Sequence, residues 1–169
     1  DLHLLRRRTL STTASPAVGF FKEPWSAATH FLGALGGVFA SIALISATWD
    51  DPTRMLVMGI YGACTVLVFS ASTSYHFFDL GNAGNRWLRR VDHAAIFLMI
   101  LGCYVPPMFH LLSGTWRSAM LITVSSIALA GILLKLVWID SPKWMGLVLY
   151  LGMGWMIAVP SHIMWPQLT

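Results

Sequence analysis

Five long apolar runs, each separated from the next by a short polar or turn-forming stretch, make up most of this chain. They cover residues 27–49, 55–78, 91–110, 116–139 and 144–165. A helix needs about 20 mostly apolar residues to cross the hydrocarbon of a bilayer, and each run has that length. The breaks are Asp50-Asp51-Pro52, Gly81-Asn82-Ala83-Gly84-Asn85, Ser113-Gly114 and Asp140-Ser141-Pro142, all rich in turn residues. Such short breaks make consecutive helices antiparallel. The expected fold is an all-α integral membrane bundle over residues 23–169, after a basic tail, residues 1–22. Gly33 and Gly37 are spaced for close helix packing. Pro106-Pro107 are expected to end or kink the third helix at its far end.

Composition agrees with this pattern. Hydrophobic residues make up 56% of the 169, and only 11% are charged. A soluble domain carries about a quarter charged residues, so this chain cannot cover itself with polar surface in water. The net charge of +4 does not point to nucleic acid, because the bases are few and lie between apolar runs. Their distribution suits membrane topology instead. Arg6, Arg7, Arg8, Lys22, Arg86, Arg89, Arg90, Lys135 and Lys143 fall on one side, and Arg54 and Arg117 on the other. Positive charge marks the cytoplasmic side, so the N-terminus is expected there, with the protein in the plasma (inner) membrane. A basic cytoplasmic tail is favoured over a transit or twin-arginine signal for residues 1–22. Lys135 is expected to snorkel from the inner end of the fourth helix. Trp87, Trp116, Trp138, Trp144 and Trp165 lie near run ends, as an aromatic belt would. Cys64 and Cys103 are read as buried thiols without a disulfide.

The polar groups inside the runs need a reason, because such residues in membrane helices are costly. His76 follows Arg54 by roughly 33 Å at 1.5 Å per residue, so it belongs at the inner end of the second helix. Ser72 lies one turn earlier on the same face. Asp92 opens the third run after Arg89-Arg90, and His30 opens the first. Ser72, His76, Asp92 and His30 are thus expected at one depth. Histidine is a common zinc ligand, and a catalytic zinc keeps a water in its open position. An aspartate can orient or deprotonate such a water, and a serine can bind it or a substrate carbonyl. Plainer readings stand beside these. Ser72 can back-bond to its own helix, His76 can make an inter-helix hydrogen bond, and Asp92 can be an interfacial ion pair or a first-turn charge. His93, His110 and His162 are read as structural or interfacial.

At these residues the sequence resembles the haemolysin III branch of the progestin and adipoQ receptor family. Glu23 with Thr29-His30-Phe31-Leu32-Gly33 is similar to that family's Glu, Thr-His and Gly near the first helix. Ser72-Thr73-Ser74-Tyr75-His76 resembles its S-x-x-x-H. Val91-Asp92-His93-Ala94-Ala95-Ile96-Phe97 with Gly102-Cys103-Tyr104-Val105-Pro106 resembles its third-helix signature, with Cys103 in place of the usual Thr. Tyr150-Leu151-Gly152-Met153-Gly154-Trp155 resembles its Y-x-x-M-G-W. The resemblance implies seven helices, zinc held by His76 and by an H-x-x-x-H in the last helix, and Ser72 and Asp92 around the zinc-bound water. This sequence contains no H-x-x-x-H, so it is expected to be a five-helix portion with an incomplete ligand set. The implied function is zinc-dependent hydrolysis of membrane lipid amides or esters, linked to membrane homeostasis. The alternatives are a non-catalytic receptor or fluidity sensor, and a pore-forming cytolysin. Membrane lipids are the expected partners, nucleic acid is not, and self-association stays open.

Overall fold

The computed structural model describes residues 21–168, and it is helical almost throughout. The order is α1 (Pro24–Ala47), α2 (Pro52–Phe77), α3 (Gly81–Leu111), α4 (Gly114–Val137), α5 (Lys143–Trp155) and a single turn, α6 (Ser161–Met164). Five segments are long and apolar enough to cross a membrane, the fifth being the broken stretch Lys143–Gln167. The expected all-α membrane bundle is therefore what forms. The Arg6-Arg7-Arg8 part of the tail lies outside the described residues.

Local chemistry explains the boundaries. Pro52 occupies the first turn of α2, where its missing N–H costs nothing. Asp51 caps that turn, accepting from the N–H groups of Thr53 at 2.9 Å and Arg54 at 3.1 Å. The third helix departs from expectation at both ends. It begins at Gly81 rather than near residue 91, and the stretch 81–85, read as a turn, forms its first coils. Gly81 takes the positive φ of 71° that turns the chain, and Asp79 and Asn85 then brace the start. At the other end α3 runs through Pro106 and Pro107 to Leu111. Its final carbonyls are capped from outside. Arg117 donates through Nε to the carbonyls of Met108 and Leu112 and through Nη2 to that of Phe109. Orphan carbonyls at a helix end need such donors, above all in a bilayer. The fifth span is not one helix either: α5 stops at Trp155 and continues through 3-10 turns around Pro160.

Each helix packs mainly on its neighbour in sequence, with α3 also touching α5. The core lies where α3, α4 and α5 meet. Phe97, Met108 and Val124 are fully buried there, with Tyr104 and Met153 against them. The Tyr104 hydroxyl donates to the Met153 carbonyl, tying α3 to α5. Lys135 corrects an expectation. It is buried, 4% exposed, and its Nζ donates to Ser141 at 2.9 Å instead of snorkelling outward. The chain folds back immediately after α4, and this places the 138–142 turn over the ammonium. Cys64 is buried but Cys103 is exposed, and both thiols are free. Gly102 is the α3 residue that meets Cys64, which leaves Cys103 turned away from α2.

Candidate functional site

Lys22, Arg86, Arg89, Arg90, Lys135 and Lys143 gather at one end of the bundle, the basic end; Arg54 and Arg117 lie at the other. His76 sits in the last turn of α2 at the basic end. The segment before α1 is strapped onto it. The Glu23 N–H donates to the His76 carbonyl at 2.9 Å, that of Lys22 donates to Phe77 at 3.4 Å, and Phe21 bridges Phe78. This backbone pairing delivers the Glu23 carboxylate to the imidazole, with Oε2 2.8 Å from Nδ1 of His76. His30, two turns into α1, lays its ring on His76 at a centroid separation of 5.4 Å and an angle of 4°. Tyr75 meets the same imidazole edge-on. Glu23, His30 and Tyr75, from three segments, thus surround one histidine whose side chain is 20% exposed.

Ser72 lies one turn deeper and is buried. Its neighbours Thr65, Thr73 and Ser74 each bond the carbonyl four residues back. Among the described residues the Ser72 hydroxyl makes no such bond. Asp92 is half-buried on α3. The contacts of α2 with α3 fix its depth: Gly102 packs on Cys64 and Thr65 bonds Met99. Counting back along antiparallel helices from these contacts brings Asp92 level with Ser72 and Thr73, about one turn below His76. Among the described residues no hydrogen bond or ion pair joins Asp92 to His76 or Ser72. Its electrostatic neighbours are His93 and Tyr150, and Tyr150 in turn donates to the His93 carbonyl. His162 stands at the far end against Trp116.

Glu23 is the participant that residue-by-residue reasoning leaves out. It lies outside every apolar run, and the signal for it is the family-like Glu ahead of Thr29-His30. Its position has a chemical meaning. A metal-binding histidine commonly gives its other ring N–H to a carboxylate, which fixes the tautomer and the ring. Glu23 does this to Nδ1 and leaves Nε2 as the free nitrogen. Zinc requires three or four protein ligands, and no three His, Cys, Asp or Glu among the described residues are placed to hold a metal. His30 is stacked on His76 rather than converging with it. The described residues therefore do not make a zinc site by themselves.

Comparison with known proteins shows the family. The family model for haemolysin-III related proteins matches residues 18–169. The chain belongs to the haemolysin III-related family. It is 28% identical over 150 residues to the hemolysin-3 homolog of Bacillus subtilis strain 168, covering 88% of this chain and 70% of the relative. The hemolysin-3 of Bacillus cereus is likewise 28% identical over 150 residues, with 88% and 68% covered. The segments that carry the resemblance lie within the matched region, and Glu23, His30, Ser72, His76 and Asp92 are all inside it.

Proposed function

We propose that this haemolysin III-related membrane protein contributes one side of a hydrolytic site for membrane lipid amides or esters, set at headgroup level with the basic end in the cytoplasm of a cell whose plasma membrane holds it. The Glu23–His76 contact is the observation that carries this reading. A carboxylate held by backbone pairing against one imidazole nitrogen prepares the other for a ligand or a proton. One turn deeper, the Ser72 hydroxyl makes no hydrogen bond among the described residues, which leaves it open to a substrate. In the reaction a water oxygen attacks the carbonyl carbon, the C–N or C–O bond breaks, and a fatty acid and an amine or alcohol leave. Asp92 takes a proton from the water and returns it to the leaving nitrogen or oxygen, and the Ser72 hydroxyl donates to the carbonyl oxygen. Zinc, which the family resemblance implies, would activate that water, but it needs at least two ligands besides His76. No step above depends on it.

The stacking of His30 of α1 on His76 of α2 favours a second reading, a sensor in which the same polar contacts couple helix packing to the bilayer. Purified protein assayed on a lipid amide and a lipid ester separates the two. Hydrolysis that falls at least a hundredfold in both Ser72→Ala and Asp92→Ala, with folding and zinc content unchanged, supports the enzyme. Turnover equal in the variants and the parent protein would sink it.

A further inference from the structure

A cleft of about 340 Å3 opens at the basic end beside Tyr75, on residues that the hydrolytic reading does not use. Three cations line it: Lys22 from the strap before α1, and Arg86 and Arg89 from the second and third turns of α3. One carboxylate faces them, Asp140 of the turn between α4 and α5. Arg89 approaches it at 3.3 Å and Arg86 at 3.9 Å. Asp79 is also within electrostatic range of Lys22, but it is already engaged by Asn85 and the Gly81 N–H. Two guanidinium groups sharing one carboxylate keep most of their N–H donors free. Among the described residues Lys22 is held by the Tyr75 carbonyl at 3.4 Å and the face of its ring, 3.6 Å from the centroid.

We propose that this cleft binds the phosphate of an anionic phospholipid headgroup. The excess of cations calls for an anion, and the fork of arginine matches phosphate oxygens. Asn82 and Asn85 line the same wall at the start of the 31-residue α3, whose N-terminal dipole favours negative charge. Depth selects a lipid over a soluble anion. Trp87 is next to Arg86, and Trp138 lies two residues before Asp140; both are about half exposed, as interfacial tryptophans are. The cleft therefore opens where headgroups lie. Uncompensated positive charge selects an anionic lipid over a zwitterionic one. The proposal uses none of Ser72, His76 or Asp92, so it stands or falls separately from the hydrolytic reading.

The test is a titration of the purified protein in neutral detergent with phosphatidylglycerol, phosphatidylcholine and inorganic phosphate, read by native mass spectrometry. Phosphatidylglycerol should bind at least tenfold more tightly than phosphatidylcholine. The double variant Arg86→Gln/Arg89→Gln should weaken it at least tenfold, and Arg54→Gln at the opposite end should leave it unchanged. Asp140→Asn, which removes the competing carboxylate without removing a cation, should strengthen it severalfold. Equal binding of the two lipids overturns the proposal. So does inorganic phosphate competing at the same concentration as the lipid, or Asp140→Asn that fails to strengthen binding.

Discussion

Where α3, α4 and α5 meet, large side chains interlock. The ring of Phe97 lies against Gly131, where even a methyl group would overlap it, and packs on Tyr150 at 4.5 Å between centroids; Met108, Val124 and Met153 are buried further along the same cluster. Where α1 meets α2, the surfaces are small. A Cβ at Gly33 would lie 2.7 Å from the Phe69 ring, one at Gly37 would lie 3.2 Å from Thr65, and Gly62 packs against Ser41. Only Ala27, Ala34 and Gly37 of α1 are buried, while Phe31, Leu32 and Phe39 face outward. Lipid is as apolar as leucine, so an outward Leu loses nothing in a bilayer, and helices associate by fit and by polar contacts. The α3–α5 region supplies the fit. The α1–α2 seam supplies close backbone approach and, at its basic end, the Glu23–His76 contact. Stability and the candidate site are thus held by different parts of the molecule.

Breaking each part in turn should separate the two effects. Phe97→Ala removes the largest fully buried side chain and should cost about 3–5 kcal/mol, as large-to-small core changes do. Thermal unfolding in detergent should register that loss, while the environment of His76 by NMR stays as it is. Gly33→Leu should do the reverse. It drives a side chain into Phe69 and should cost about 1–3 kcal/mol. It should also shift the His30 and His76 ring signals, because α1 can no longer approach α2. Equal disturbance of His76 by both variants would mean that the two regions are not separable.

The opposite end offers a smaller test. Arg117 acts as a C-terminal cap for α3, through three carbonyls of a helix that has just passed two prolines. Hydrogen bonds to a charged donor contribute about 1.5–3 kcal/mol. Water at the interface can replace part of that, so Arg117→Ala should cost about 1.5 kcal/mol. Arg54→Ala should cost less, because Arg54 is exposed and its ion pair among the described residues is with Asp51. A cost for Arg54→Ala as large as that for Arg117→Ala would remove the capping role.

The spans were legible because hydrophobic length is a strong signal. The close approach of α1 was legible from Gly33 and Gly37 for the same kind of reason, since only small residues permit it. Boundaries set by tertiary partners were not. Arg117 reads as one more far-side cation at the start of the fourth run until α3 is seen to end beside it. Lys135 reads as a snorkelling side chain until the 138–142 turn is seen to cover it. The basic-end depth of His76 was legible from its distance to Arg54. The role of Glu23 was not, because it depends on the backbone pairing of residues 21–23 with residues 76–78, and neither stretch has a strand pattern.

The mildest probe lies just beyond that pairing, in the turn between α2 and α3. The Asn85 amide, donating to Asp79 at 2.8 Å, and the Gly81 N–H hold the Asp79 carboxyl below its usual value, with Lys22 adding to the effect. A depressed carboxyl stabilises the fold above the ordinary aspartate value of about 3.9. That stabilisation is lost as pH falls through the lower folded value. Asp79 is fully exposed, so the effect is local rather than global. Protection factors of the Leu80 and Gly81 amides should therefore drop as the pH is lowered below about 4, while those of the Phe97 region hold. Asp79→Asn should abolish this dependence at 80–81. Protection that rises on acidification, or that falls equally in the α3–α5 core, would show that the turn does not act as an independent brace at the start of α3.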